Sequence, residues 1–199
     1  NPVVQLAATL RSAGLVRALV LWSAAFAPAL FAVEVFYQPR FTQLLGGGAA
    51  GWALGTLNAG AFYAAAAGSV LGPRLIRRPT LGRLLTVTAV VGLALMAMSA
   101  VGAPVLFVAV YFLFYVIVGW SDYLTSSLMN EAAPPSQRAT LLSASSLSLQ
   151  LGGLAASPLL SAGAAVGSVS QVWLAAGGAL AVLMLAWLAV HALQARKTK

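Results

Sequence analysis

Six apolar stretches, each about as long as a helix must be to cross a hydrocarbon core, decide what this chain can fold into. Lipid offers no partner to backbone N–H and C=O groups, so such stretches must be helices or the strands of a closed barrel. Barrel strands would alternate apolar and polar residues over about ten positions. These stretches last roughly twenty residues and are dense in Leu, Ala and Gly. The expected fold is an all-α membrane protein, with spans at about 15–37, 49–71, 84–101, 105–128, 140–163 and 172–193. Proline and glycine mark the breaks: Gln38-Pro39-Arg40 with Gly46-Gly47-Gly48, Pro73 with Pro79, Gly102-Ala103-Pro104, Pro134-Pro135, and Gly167-Ser168.

Composition excludes several classes. Only 7% of the 199 residues are charged, against roughly 25% in a soluble domain, too few to cover a water-facing surface. The net charge of +8 would suggest nucleic acid in a soluble protein. Here the charges sit at span ends, so the lipid bilayer is the expected partner and nucleic acid is not. With no cysteine, one His and three acids, neither a disulfide, a thiolate nucleophile, a metal centre nor another cofactor is expected. The chain opens at Asn1 without a signal-peptide layout, and is expected to be the later part of a longer polypeptide.

Charge placement sets an expected orientation. With the N-terminus cytoplasmic, one side holds Arg11, Arg17, Arg74, Arg77, Arg78, Arg83, Arg138, Arg196, Lys197 and Lys199, and the other only Arg40. That asymmetry predicts both termini cytoplasmic and an even number of crossings, and the expected location is the cell (inner) membrane.

The spans differ in polarity. The third and sixth carry no ionisable residue in their interior, whereas the first carries Glu34, the fourth Asp122, the second Asn58, and the fifth many serines. Intramembrane polar groups face a bundle interior or a wet cavity. The first, second, fourth and fifth helices are therefore expected to line something, and the third and sixth to face lipid. The chain reads as two triplets.

Several residues are candidates for chemistry. On the fifth helix Ser143, Ser146, Gln150, Ser157 and Ser161 share roughly one 60° sector; they form either a polar wall or a small-residue packing seam. Tyr111, Tyr115, Asp122 and Thr125 share a face of the fourth helix, where the tyrosines either meet a substrate or are buried aromatics. Asp122 is placed for a structural or gating ion pair with Arg74, Arg77, Arg78 or Arg138. Glu34 either reaches water and pairs with Arg40 or titrates as a coupling group. Glu34 and Asp122 hold similar positions in the two triplets but at opposite faces, as an inverted repeat places them. Gly60, Ala64, Gly68 and Gly72 read as a packing stripe, while the Asn58 amide near mid-depth needs a partner or a ligand.

Three stretches resemble the C-terminal six-helix half of the major facilitator superfamily, in its drug-exporter-like branch. Phe36-Tyr37-Gln38-Pro39-Arg40 is similar to the end of the seventh helix there. The run from Gly68 to Arg78 resembles the second, degenerate copy of the Gly-and-Arg loop, with Gly72 where the fuller motif has Asp. Glu131, a six-residue gap and Arg138-Ala139-Thr140 resemble the loop between helices ten and eleven. The resemblance implies one half of a secondary transporter that moves a small-molecule substrate by alternating access, possible proton-coupled efflux included, against a second six-helix half. That half is either covalently joined or another copy in a homodimer. On this reading Asn58, Tyr111, Tyr115, Ser146 and Gln150 line the cavity and Glu34 is the coupling candidate. Arg74, Asp122, Glu131 and Arg138 form a cytoplasmic latch. No enzymatic activity is expected. The competing class is a six-helix intramembrane serine protease with Ser121 and His191 in the catalytic roles, although no glycine follows Ser121 and His191 adjoins the basic tail. No Asn-Pro-Ala pair supports a passive channel.

Overall fold

The computed structural model describes residues 14–48 and 51–197; Arg11, Lys199 and the start of the second expected span at position 49 lie outside the described residues. Among the described residues are six long helices: α1 (Gly14–Leu44), α2 (Gly51–Leu75), α3 (Leu81–Ala100), α4 (Pro104–Ala132), α5 (Arg138–Val166) and α6 (Val169–Lys197), with a short 3-10 turn at Pro135–Gln137. All six are long and apolar enough to cross a membrane. Six crossings bring the two described ends to the same side of the bundle, here the terminal end, which also carries the α2–α3 and α4–α5 connections.

Local chemistry sets the helix ends. Thr80 caps α3 by accepting the Arg83 N–H at 3.2 Å. Pro104 opens α4 at a position whose N–H needs no helical partner. Two prolines expected at breaks lie inside helices instead, Pro39 in α1 and Pro73 in α2. A membrane helix tolerates proline when neighbours re-satisfy the disturbed turn. Just after Pro39, Arg40 donates to the Val101 carbonyl at 2.9 Å and to Gln43 Oε1 at 3.0 Å, holding the last turns of α1 against the α3–α4 connection. The helix ends where Gly46 and Gly47 adopt φ of 75° and 98°, and the Gly47 N–H closes on the Thr42 carbonyl at 2.9 Å.

The helices pair in an order that chain order alone does not show. α3 packs most extensively on α6, α2 on α4 and α1 on α5. Exchanging the first triplet for the second maps the α2–α4 pairing onto α5–α1 and α3–α6 onto itself. The chain is thus two three-helix repeats, one half of a major facilitator fold. α1 and α4 occupy the middle, α3 and α6 pair behind them, and α2 and α5 flank the front. Two crossings depend on absent side chains. A Cβ on Gly92 would lie 2.6 Å from the Gly177 carbonyl oxygen, and one on Gly177 would lie 2.5 Å from that of Gly92. At the α2–α4 crossing Gly68 and Gly119 each abut a backbone carbonyl of the other helix, those of Val116 and Ala65. Close backbone approach of this kind is how helices pack where lipid supplies no hydrophobic drive. The α2 glycine stripe is accordingly a packing seam.

Burial follows the layers and refines the expectation for the third and sixth helices. Half of the most apolar stretch of α3 is buried, so only its outer side, with Val90 and Leu93, is left for lipid. The least buried helices are the front pair, at 17% for α2 and 6% for α5.

Candidate functional site

α1, α2, α4 and α5 converge on the front to form an open groove of about 380 Å³. It is continuous with a recess of about 320 Å³ further from the terminal end, through the shared residues Glu34, Phe62 and Tyr115. The lining is periodic. α1 contributes Trp22, Phe26, Leu30 and Glu34, one residue per helical turn on one face, and Gln38 extends the ladder into the recess. α4 contributes Tyr115, Val118, Asp122 and Thr125; α2 adds Phe62 and Ala65, and α5 adds Ser145, Ser146 and Leu149. Asn58 stands in the recess with Tyr37, Gln38, Glu34 and Tyr115. Glu34, Asp122, Asn58, Tyr115 and Ser146, read separately from the sequence on four helices, therefore share one surface.

Hydrogen bonds fix the walls of the groove. Ser23 and Ser145 hydroxyls lie 2.6 Å apart across α1 and α5, and Ser148 donates to the Val20 carbonyl at 2.9 Å. On the other flank Ser69 of α2 donates to the Gly119 carbonyl of α4 at 3.0 Å. Each front helix is thus tied to its middle helix by a serine. The Trp22 indole donates to Thr88 Oγ1 of α3 at 2.9 Å and stacks on Phe26 with ring centroids 5.1 Å apart, which fixes a flat apolar surface in the groove. Gln38 donates to the Tyr37 hydroxyl at 2.9 Å.

The two readings of the fifth-helix serines separate onto different residues. Ser145 and Ser148 make the seam with α1, whereas Ser143, Ser146 and Ser161 are exposed on the open side and Ser157 bonds back to the Gly153 carbonyl. Gln150 is exposed too, but it does not line the groove. Tyr111 lies elsewhere than expected. It is fully buried behind Tyr115, inside an aromatic stack that joins Tyr37, Phe107 and Trp173, and its hydroxyl makes no hydrogen bond of normal geometry. Tyr115, one turn on, takes the place at the groove wall.

Two expected ion pairs are not formed. Arg40 is engaged with Val101 and Gln43, so the Glu34 carboxylate stands in the groove without it. Among the described residues no ion pair links Arg74, Asp122, Glu131 and Arg138; Arg138 Nε instead donates to the Ala133 carbonyl of its own loop at 3.4 Å. With α2 and α5 apart, Asp122 faces the open groove while Arg74 and Arg138 lie on flanking elements. The protease reading fails on access: Ser121 is fully buried and donates to the Ile117 carbonyl, and His191 lines a cavity at the terminal end that Ser121 does not reach. Among the described residues no three His, Asp or Glu side chains gather where they could hold a metal ion.

Sequence reading missed Trp22, Phe26, Phe62, Tyr37 and Gln38 as groove residues. The signal was present as the four-residue ladder from Trp22 through Glu34 to Gln38, and as Phe62 one turn beyond Asn58.

A family model described as "Sugar (and other) transporter" matches residues 19–192, a range that includes most of all six helices. No curated protein and no solved structure matches the chain.

Proposed function

This chain belongs to the sugar (and other) transporter family of the major facilitator superfamily, and on that premise we propose that its front groove is one wall of a substrate path closed by a second six-helix half. The chain is a multi-pass membrane protein of a transporter family. The observation that carries the proposal is convergence. Both carboxylates within the spans, Glu34 and Asp122, and the Asn58 amide lie on the open front face between α2 and α5. Glu34 and Asp122 are costly at membrane depth unless they meet water, a ligand or a partner. Trp22, Phe26 and Phe62 beside carboxylates, an amide and hydroxyls suit a small solute with both apolar faces and hydrogen-bonding groups.

The second wall is either a covalently joined half or another copy of the chain, and transport proceeds as the two halves rock about the groove. The terminal end is cytoplasmic and the membrane is the inner membrane. Glu34, which has no basic partner among the described residues, is the coupling residue for protons. Asp122, Glu131, Arg74 and Arg138 come together when that end closes. The drug-exporter affinity and outward direction expected from the sequence find no support in the family match, which covers sugars and other solutes.

The chain has no cysteine, which makes accessibility the direct test. Asn58→Cys and Ser146→Cys should react with a membrane-impermeant thiol reagent, and a transported solute should slow the reaction. Leu93→Cys, on the outer side of α3, should not react. Should the two front cysteines prove as inert as the one at position 93, the front face carries no aqueous path.

A further inference from the structure

At the terminal end α1, α3 and α6, with Leu128 of α4, border a second open cavity of about 630 Å³, which shares no lining residue with the front groove and includes none from α2 or α5. Arg17 projects to it from α1 and His191 from α6, with Thr80 and Gln194 adding hydrogen-bonding groups. None of its described lining residues is acidic. The chain has three acids: Glu34 and Asp122 line the front groove, and Glu131 lies at the end of α4. Among the described residues no carboxylate lines this cavity, and Glu131 lies one turn beyond Leu128, the α4 residue on its wall. Away from the mouth the chemistry changes. Leu21 and Trp187, one turn deeper than Arg17 and His191, and Val190 beside His191 form an apolar wall, with Leu21 and Val190 more than half exposed.

We propose that this cavity binds an anionic phospholipid, its phosphate on Arg17 and His191 and an acyl chain along Leu21 and Val190. A cationic mouth at the end of the membrane helices lies at headgroup depth, and an apolar slot below it matches the amphipathic shape of a lipid. A free phosphate would occupy the mouth and leave the slot exposed. Basic pockets between membrane helices bind lipid headgroups by this combination, each nearby Arg adding attraction to the anionic leaflet. The site lies behind the groove and holds whether or not the groove transports.

The test is native mass spectrometry of the full-length protein in detergent, titrated with phosphatidylglycerol. Arg17→Gln should weaken the first binding event about fivefold, the loss expected for one Arg near the surface. Val190→Trp, which fills the slot without changing charge, should also weaken it. Arg77→Gln, on an exposed arginine of the same end outside the cavity, should leave it unchanged. Equal losses for Arg77→Gln and Arg17→Gln would mean diffuse attraction to the basic end and overturn the site. So would displacement of the lipid by inorganic phosphate at matched concentration, which would assign the cavity to a soluble anion.

Discussion

The back pair α3–α6 and the front pair α2–α5 are both made of membrane-length apolar helices, yet the chain treats them in opposite ways. At the back, Gly92 and Gly177 bring two backbones into reciprocal contact and neither helix contributes a residue to the groove. At the front the two helices are held apart, each hung on a middle helix by a serine–carbonyl bond, and Trp52, Phe62 and Tyr63 stand 70–78% exposed. Apolarity cannot explain the difference, since lipid is as good a solvent for Leu at the front as at the back. What differs is where small residues permit contact and where polar groups need something other than lipid. Closure at the back makes a scaffold, and the gap at the front makes a site.

The same substitution at the two faces tests this contrast most strongly. Gly92→Leu drives a side chain into the α6 backbone and should destabilise by about 2–3 kcal/mol, the usual cost of overpacking. That corresponds to a fall in Tm on the order of 5–10 °C for a chain of this size. Gly55→Leu, on α2 where no described atom beyond its own helical turn lies within 4 Å of the added Cβ, should leave Tm unchanged. Thermal unfolding of the two purified variants reads the difference. A matching loss for Gly55→Leu would mean that the second half packs tightly over position 55 rather than bordering a path there.

The next largest effect concerns transport alone. Glu34→Gln keeps the shape of the groove and removes its charge. Uptake driven by a pH gradient in proteoliposomes should fall about tenfold or more, the scale of one lost charge-dependent interaction. Exchange without a gradient should persist. If the dependence on the gradient survives, Glu34 has no part in coupling, and its position in the groove is a matter of hydration only.

Much of this architecture was legible because membrane helices advertise themselves. Length, apolarity and the backbone's need for internal hydrogen bonds are properties of a window of sequence, and the polarity of Glu34, Asn58, Asp122 and Ser146 sorts helices before any packing is known. What was not legible depends on neighbours. Pro39 reads as a terminator until Arg40 is seen bonded to Val101 from another connection. Tyr111 and Tyr115 are one turn apart and equivalent by helical phase, but only the rings of Phe107, Tyr37 and Trp173 decide which is covered. Gln150 falls in the serine sector, yet the groove reaches α5 only as far as Leu149. Ion pairs such as Glu34–Arg40 look natural from separation along the chain, whereas side-chain direction is set by competing acceptors.

The latch offers a smaller effect that bears on the front alone. Among the described residues Arg138 bonds to the Ala133 carbonyl of its own loop, so Arg138→Ala removes little from this conformation. Expression and Tm should be unaffected, while transport should fall several-fold if Arg138 meets Asp122 or Glu131 when the terminal end closes, a fall on the scale of about 1 kcal/mol for such a pair. Unchanged transport would sink the latch.

The smallest expected effect separates Tyr111 from the groove it was expected to line. Its ring is fully buried and packs on Tyr37, Phe107 and Tyr115, but its hydroxyl has no hydrogen-bond partner of normal geometry. The Tyr111 hydroxyl faces that of Tyr115 without a well-aligned bond, which recovers little of the about 1–3 kcal/mol that burying a polar group costs, and phenylalanine keeps the ring while removing that group. Tyr111→Phe should therefore leave Tm the same or raise it by roughly 2–4 °C, with transport within about twofold of the unsubstituted protein. Tyr115→Phe, at the wall itself, should instead leave Tm alone and slow transport. If the two variants behave in the opposite way, the groove opens past Tyr115 during transport, and the aromatic stack behind it is part of the path rather than part of the scaffold.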